Sequence, residues 1–167
     1  ATISVPEPTL AHVAYCRKVI DEIIEAEKPV YGINTGFGLL SHTNVDNADL
    51  NKLQLNLIRS HASGVGEPLD TTTVRRIMAL RINVLARGHS GISLGVLETL
   101  IRIFNAGLTP EVPCQGTVGA SGDLAPLAHI ALGCIGEGAM RDPSRGHGFF
   151  PAGEVLQAHG IAPAQLR

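Results

Sequence analysis

Tryptophan is absent from this 167-residue chain, and aromatic residues make up only 4% of it. With hydrophobic residues at 44%, the core has to be aliphatic, built from Leu, Ile, Val and Ala, which favours helix packed on helix. Charge of one sign is also lacking. A net charge of −2 leaves no footprint for nucleic acid, and no Lys/Arg run points to an anionic membrane surface. Long apolar runs are missing too. The nearest, "LAPLAHIALGCIGEGAM", is broken by Pro126, His129 and several glycines, so no membrane span is expected. The opening "ATISVPEPTL" has neither a basic nor an apolar leader region, so no secretory signal is expected. Cysteine is scarce and odd in number: Cys16, Cys114 and Cys134 lie far apart and form no C-x-x-C. That pattern excludes a disulfide framework and a zinc site, and fits a cytoplasmic protein. A nucleophilic Cys114 is conceivable, but an incidental thiol is the simpler reading.

What is present is helical periodicity. Leu10, Val13, Ala14, Ile20, Ile23 and Ile24 predict a helix from about Thr9 to Glu27, stopped by Pro29. The following "VYGINTGFGLLSH" is rich in glycine and reads as a loop. A second helix is expected over Ala48–Ser63, with Leu50, Leu53, Leu57 and His61 near one face and Gly64 as its terminator. Asp70 reads as the N-cap of a third, with Val74, Ile77, Met78 and Leu85 inward and Gly88 after its end. A fourth runs from Ser93 to Ala106. "LTPEVPCQGTVGASG" reads as a long structureless segment of the kind that is usually functional. An apolar helix then starts near Asp123, with Pro126 in its first turn. Residues 136–151 read as loop, "AGEVLQAHG" as a short helical turn, and the final "GIAPAQLR" as a tail that neither caps a helix nor closes a loop. The fold class is mainly α, with long loops and little strand.

Seven histidines are scattered without H-x-x-x-H spacing, so no metal site is expected. "GINTGFG" lacks the strand-then-helix context and the Lys-Ser/Thr ending of a phosphate loop. The tripeptide Ala-Ser-Gly occurs twice. Ala62-Ser63-Gly64 falls at a helix end, where glycine is the expected terminator. Ala120-Ser121-Gly122 lies between a glycine-rich approach and a new helix, where the backbone can bend tightly. A tight bend there lets the Gly122 amide nitrogen attack the Ala120 carbonyl carbon. Loss of one water on ring closure and one from the Ser121 side chain leaves a methylidene-imidazolone. Each residue type is needed: an unhindered carbonyl, a leaving hydroxyl and an unhindered amide.

Three segments in order, "VYGINTGFGLL", "LQLNLIRSHASGVGEPL" and "GTVGASGDLAPLAHIAL", resemble the aromatic amino-acid ammonia-lyase family over essentially the whole chain. The resemblance implies the N-terminal helical domain of the ammonia-lyase (fumarase/aspartase-like) fold at residues 1–167, without the central helical bundle and C-terminal part. It implies a 4-methylidene-imidazol-5-one (MIO) cofactor formed from Ala120, Ser121 and Gly122, with Asp123 assisting cyclisation. In that family the electrophile makes the substrate's amino group a better leaving group, and Tyr31 aligns with the loop tyrosine that takes the β-proton. A helix N-terminus beginning at Asp123 would help hold negative charge there.

Ser60 and His61 align with the substrate-reading pair. Tyrosine-type members tend to carry His-Leu at this place, phenylalanine-type members Phe-Leu and histidine-type members Ser-His. The pair therefore leans to L-histidine, giving urocanate and ammonia, with tyrosine or phenylalanine lyases or aminomutases as alternatives. A non-catalytic scaffold chain is the alternative of another class. Asn34, Gly38 and Gln115 stand in the motifs without separate roles. The implied partner is a small aromatic amino acid, with no nucleic acid and no membrane, and the implied assembly is a homotetramer sharing its active sites. The remaining active-site groups of the family come from parts not represented here, so the isolated chain is expected to have little or no lyase activity.

Overall fold

The computed structural model describes residues 1–166 except Asn44, Gly119 and Ser121, and except the side chains of Leu40 and Asn47. Pro6 holds the chain extended and Pro8 fits the first turn of α1 (Glu7–Glu25). The helix ends before Pro29 can stop it: Ala26 caps it and Glu27 swings into the left-handed region at φ +53°. A 3₁₀ turn at Asn47–Asp49 leads into α2 (Leu50–His61), which is shorter than its periodicity suggests. Asp70 caps α3 (Thr71–Leu85), its Oδ1 accepting the Thr73 N–H at 3.0 Å. Ser93 and Ala106 bracket α4 (Leu94–Asn105) as expected. Pro126 sits in the first turn of α5 (Leu124–Cys134), and α6 (Ala152–Ala158) is the short helix expected near the end.

Two stretches expected to be irregular contain short strands. In the first, β2 (Thr109–Pro110) and β3 (Pro113–Gln115) occupy the segment expected to be structureless. In the second, β4 (Ala139–Arg141) and β5 (Phe150–Pro151) interrupt the expected loop. With β1 (Val65–Pro68), these strands form two small antiparallel sheets, β1–β3 and β2–β4–β5. The registers pair Val65 with Gln115, Pro110 with Met140, and Met140 with Phe150. Strands of two to four residues are too short for an apolar/polar alternation, and four of the five carry proline, a residue tolerated only at edges and bulges. The sequence signal was therefore absent by construction.

The core is aliphatic, as the lack of aromatics demands. Val74, Met78 and Ile82 of α3 interlock with Leu97, Leu100, Ile103 and Phe104 of α4. Val13, Ile130, Met140, Val155 and Leu156 close it from the other elements. Phe104 is the aromatic residue of this cluster, and Arg75 lies over its ring at 4.0 Å while donating to its carbonyl. Cys134 is inside the cluster, where burial pushes its thiol up to about 12, so it is inert as a nucleophile. The final segment also departs from expectation. Ile161 donates its N–H to the Leu156 carbonyl at 2.9 Å and Ala164 to that of Cys134 at 2.8 Å, and both side chains are buried. The tail thus closes α6 and docks on α5. Among the described residues, no helix is long and apolar enough to cross a membrane.

Beside the tail, buried Asp142 accepts from the Ser144 N–H, the Ser144 hydroxyl and His159 Nε2, at 2.9, 2.7 and 2.9 Å. Burial pushes its carboxyl up, but these hydrogen bonds more than offset that and hold it at about 2. Its folded value lies below the unfolded one, so its stabilisation is present above about pH 4 and is lost as pH falls toward 2. Urea titrations of wild type and Asp142→Asn should therefore differ most above pH 4 and converge near pH 2. In the core, Ile103→Ala should lower stability by about 2–5 kcal/mol at an unchanged denaturant slope, because the surrounding α3–α4 packing cannot collapse to fill the space.

Candidate active site

Of the expected site residues, Ser60 and His61 occupy the last turn of α2. His61 Nδ1 lies 2.8 Å from the Leu57 carbonyl oxygen, and Ser60 Oγ lies 3.0 Å from the same oxygen and 3.1 Å from His61 Nδ1. A carbonyl oxygen only accepts, so Nδ1 must carry the ring proton, and the Ser60 hydroxyl donates its own proton to Leu57. The Leu57 contact leaves Nε2 as the ring nitrogen it does not use. The imidazole closes the helix end through Nδ1, which is compatible with a recognition role at Nε2.

Gly64 does not terminate α2. The helix stops at His61, with Ala62 as its cap, and Gly64 lies beyond it. What requires glycine is crowding. A Cβ here would lie 3.1 Å from His129 Nε2, 3.2 Å from the Gln115 carbonyl oxygen and 3.2 Å from Pro113 Cβ. The opposing Gly116 is equally constrained, since a Cβ on it would lie 3.0 Å from the Gly64 Cα. The Gly64 N–H, expected to be spent inside the helix, instead donates to His129 Nε2 at 3.1 Å. Because an N–H can only donate, Nε2 of His129 must be unprotonated. Burial pulls the His129 pKa below its usual value, with Glu111 pulling weakly the other way.

These contacts bring the segment that follows α2 against β3 and α5. The end of α2 runs into β1, β1 pairs with β3, and β3 leads through Gly116 to residues 118–122 and then α5. Helices α2 and α5 also pack on each other, and a two-pronged ion pair ties α2 to the turn after α5, with Arg59 Nε 2.9 Å from Glu137 Oε2. That hydrogen bond holds the Glu137 carboxyl below its usual range.

Ser121 lies outside the described residues, but its neighbours define the turn. Val118 and Gly122 form an antiparallel bridge, so the chain reverses across Ala120. Gly122 takes φ +87°, and a Cβ placed on it would meet nothing within 4 Å. Gly122 thus holds a left-handed turn that glycine adopts without strain, one residue before Asp123. This backbone fits the needs of an imidazolone ring. Asp123 occupies the N-cap position of α5, but its exposed side chain makes no capping hydrogen bond, against expectation.

Tyr31 is not brought to this cluster by the contacts of its loop. It is exposed, and its ring meets Phe37 edge to face at 5.9 Å between centroids. The loop enters α2 from its other end: Ile33 lines a cavity of about 280 Å³ together with Leu50 and Gln54, in the first turns of the helix. His61 lies about 16 Å further along the axis. The loop is nonetheless well fastened. Buried Asn34 accepts the Val30 N–H at 2.8 Å and donates to the Lys28 carbonyl at 2.9 Å, and its own carbonyl accepts from the Val45 N–H. Asn34 and His129 were given no role from sequence. Their signal, a buried polar residue three positions after Tyr31 and a histidine inside an apolar helix, is readable only once the partners are known.

Residues 1–167 match the family model described as aromatic amino acid lyase. Over 151 residues the chain is 56% identical to the histidine ammonia-lyase of Bos taurus, an alignment that covers 90% of this chain and 23% of that protein. Among solved structures, the histidine ammonia-lyase from Trypanosoma cruzi superimposes with a TM-score of 0.90 at 46% identity, covering 99% of this chain and 32% of its own. A tyrosine aminomutase from Streptomyces globisporus gives a TM-score of 0.92 at 39% identity, covering 100% of this chain and 31% of its own. The chain thus spans about a quarter of the bovine relative's length. The family match runs the whole length of the chain, through every segment that builds the candidate site, and the protein belongs to the aromatic amino acid lyase family.

Proposed function

We propose that this chain is the N-terminal portion of a histidine ammonia-lyase, which removes ammonia from L-histidine without oxidation and releases urocanate. The observation that carries this reading is the His61 imidazole at the end of α2, fixed through Nδ1 on Leu57 and followed by Gly64, which packs on Gly116 of the strand leading into residues 118–122. An imidazole N–H of the substrate pairs with the lone pair of an unprotonated His61 Nε2, whereas a phenyl ring leaves it unsatisfied. A buried acceptor without a donor costs about 1–3 kcal/mol. A phenol could also donate there. The 56% identity to a histidine ammonia-lyase, against 39% to the tyrosine aminomutase, supports histidine.

Ala120, Ser121 and Gly122 would supply the MIO ring, with Asp123 as the nearest carboxylate to move protons during cyclisation. When present, that group supplies an electrophilic methylidene carbon that activates the α-amino group for departure. The chain's own residues then have separate tasks. Ser60 and His61 orient the ring of the substrate. The N-terminus of α5, with eleven aligned residues behind it, stabilises negative charge arising beside Gly122, by roughly 0.3–1 kcal/mol if exposed and up to ~2 if partly buried. Tyr31 takes the β-proton, on a loop whose shape Asn34 fixes. That task requires the loop to reach the cluster or a second copy of the chain to bring one to it, which the homotetramer implied by the family would supply.

A second reading, a scaffold chain without turnover, is favoured by one observation. Tyr31 belongs to a loop that meets α2 at the opposite end from His61. Intact-protein mass separates the two readings: ring formation lowers the mass by two waters, and the scaffold leaves it unchanged.

The isolated 167-residue chain should show no steady production of urocanate, and any sustained turnover would overturn that expectation. In a longer protein that contains the chain and is active, Tyr31→Phe should lower kcat by about 10²–10⁴-fold with little change in KM. There, His61→Leu should lower kcat/KM for histidine by roughly 10- to 100-fold while affecting phenylalanine much less. Equal losses on both substrates would remove the case for His61 as the reader of the ring.

A further inference from the structure

We infer that His129 is a pH-sensitive positioning residue: its unprotonated Nε2, by accepting the Gly64 N–H, sets the spacing between the His61 end of α2 and the turn at residues 118–122. This rests on the histidine-lyase reading for its catalytic consequence, though not for its geometry.

Three observations carry it. The first is the bond itself, 3.1 Å from Gly64 N to His129 Nε2, spanning the sequence from the end of α2 to the second turn of α5. The second is the packing, which leaves Gly64 no slack: it is hemmed by His129, the Gln115 carbonyl and Pro113, with Gly116 closing from the other strand. A backbone so confined cannot shift without moving both β1 and β3. The third is the position of the two ends. Gly64 follows His61 after a two-residue connection, and His129 shares a rigid helix with the residues that follow Gly122.

Protonation reverses the sign of the contact. An imidazolium Nε2 carries a hydrogen and faces the Gly64 hydrogen directly, so the acceptor is lost and the α2 end is released. Burial disfavours the imidazolium, and Glu111, between β2 and β3, opposes that effect. The adjoining elements also carry His61 at the end of α2 and Cys114 on β3. Because the folded value lies below the unfolded one, the stabilising contribution is complete above about pH 6.5 and is lost as pH falls through the folded value. The switch thus holds the site together near neutrality and loosens it in acid.

The test uses ¹⁵N-labelled 167-residue chain, in wild-type, His129→Gln and His129→Leu forms. Gln offers a carbonyl acceptor that does not titrate, and Leu offers none. In wild type, the His129 Nε2 resonance should be that of an unprotonated nitrogen. Protection of the Gly64 amide from exchange should be lost in the same step in which that nitrogen titrates. His129→Gln should keep Gly64 protected throughout, and His129→Leu should leave it unprotected at every pH. Should the Leu variant fail to fold, the wild-type titration decides alone. Gly64 protection that is indifferent to the His129 titration overturns the proposal.

In an active longer protein, His129→Leu should lose about 10- to 100-fold in kcat/KM for histidine. His129→Gln should restore most of it while shifting the acid limb of the pH profile to lower pH. An unshifted acid limb in the Gln variant also overturns the proposal. If instead the protein does not act on histidine at all, the proposed function fails, and the amide and nitrogen resonances still decide the role of His129.

Discussion

Everything near the candidate site depends on one backbone contact, the approach of Gly64 to Gly116. Two chains lie against each other there with no side chain between them, as a Cβ on either would fall 3.0–3.2 Å from its neighbours. That distance is what allows β1 and β3 to pair so soon after α2, and what lets an amide reach an imidazole on α5. Without that contact, α2 would rest on α5 through side-chain packing and on the turn after α5 through the Arg59–Glu137 pair. Exposed ion pairs of that kind typically contribute ~1 kcal/mol or less. The turn at residues 118–122 and the histidine proposed to read the substrate are thus registered through backbone.

Division of labour follows from the composition. With hardly an aromatic to spend, the chain builds its interior from interchangeable aliphatics on α3 and α4, far along the sequence from Tyr31. Tyr31 and Phe37 are thereby left to the loop between α1 and α2. Asn34 shows how such a loop keeps its shape without an apolar core. One buried side chain satisfies a donor and an acceptor of the backbone around it, and its carbonyl takes a third bond from Val45. The bonds to Lys28 and Val30 close the chain around the segment that carries Tyr31.

Sequence reading succeeded where the cause was local. The Asp70 cap, the span of α4 and Pro126 in the first turn of α5 are each set by one residue's own conformational preference, and each is where the spacing put it. It failed where the cause was a partner distant in sequence. Gly64 looked like a helix terminator because glycine commonly ends helices, but its reason for being glycine lies at residues 113–129. The strands at 109–115 and 139–151 were invisible because two to four residues rich in proline show no period. The docked tail was missed because Ile161 and Ala164 bury themselves against elements formed much earlier in the chain.

The same distinction explains why the two Ala-Ser-Gly copies differ in kind although they are identical in type. At residues 118–122 the bridge between Val118 and Gly122 reverses the chain, and a Cβ on Gly122 would meet nothing within 4 Å. At residues 62–64 the glycine is crowded by Pro113, Gln115 and His129, and its amide is already committed to His129. Cyclisation needs a free nitrogen and room to close. A tripeptide whose nitrogen is bonded and whose surroundings are filled cannot react, whatever its sequence. Its enclosure serves the other copy instead, because an inert, tightly packed glycine is what fixes the neighbouring histidine relative to the turn that is free to react.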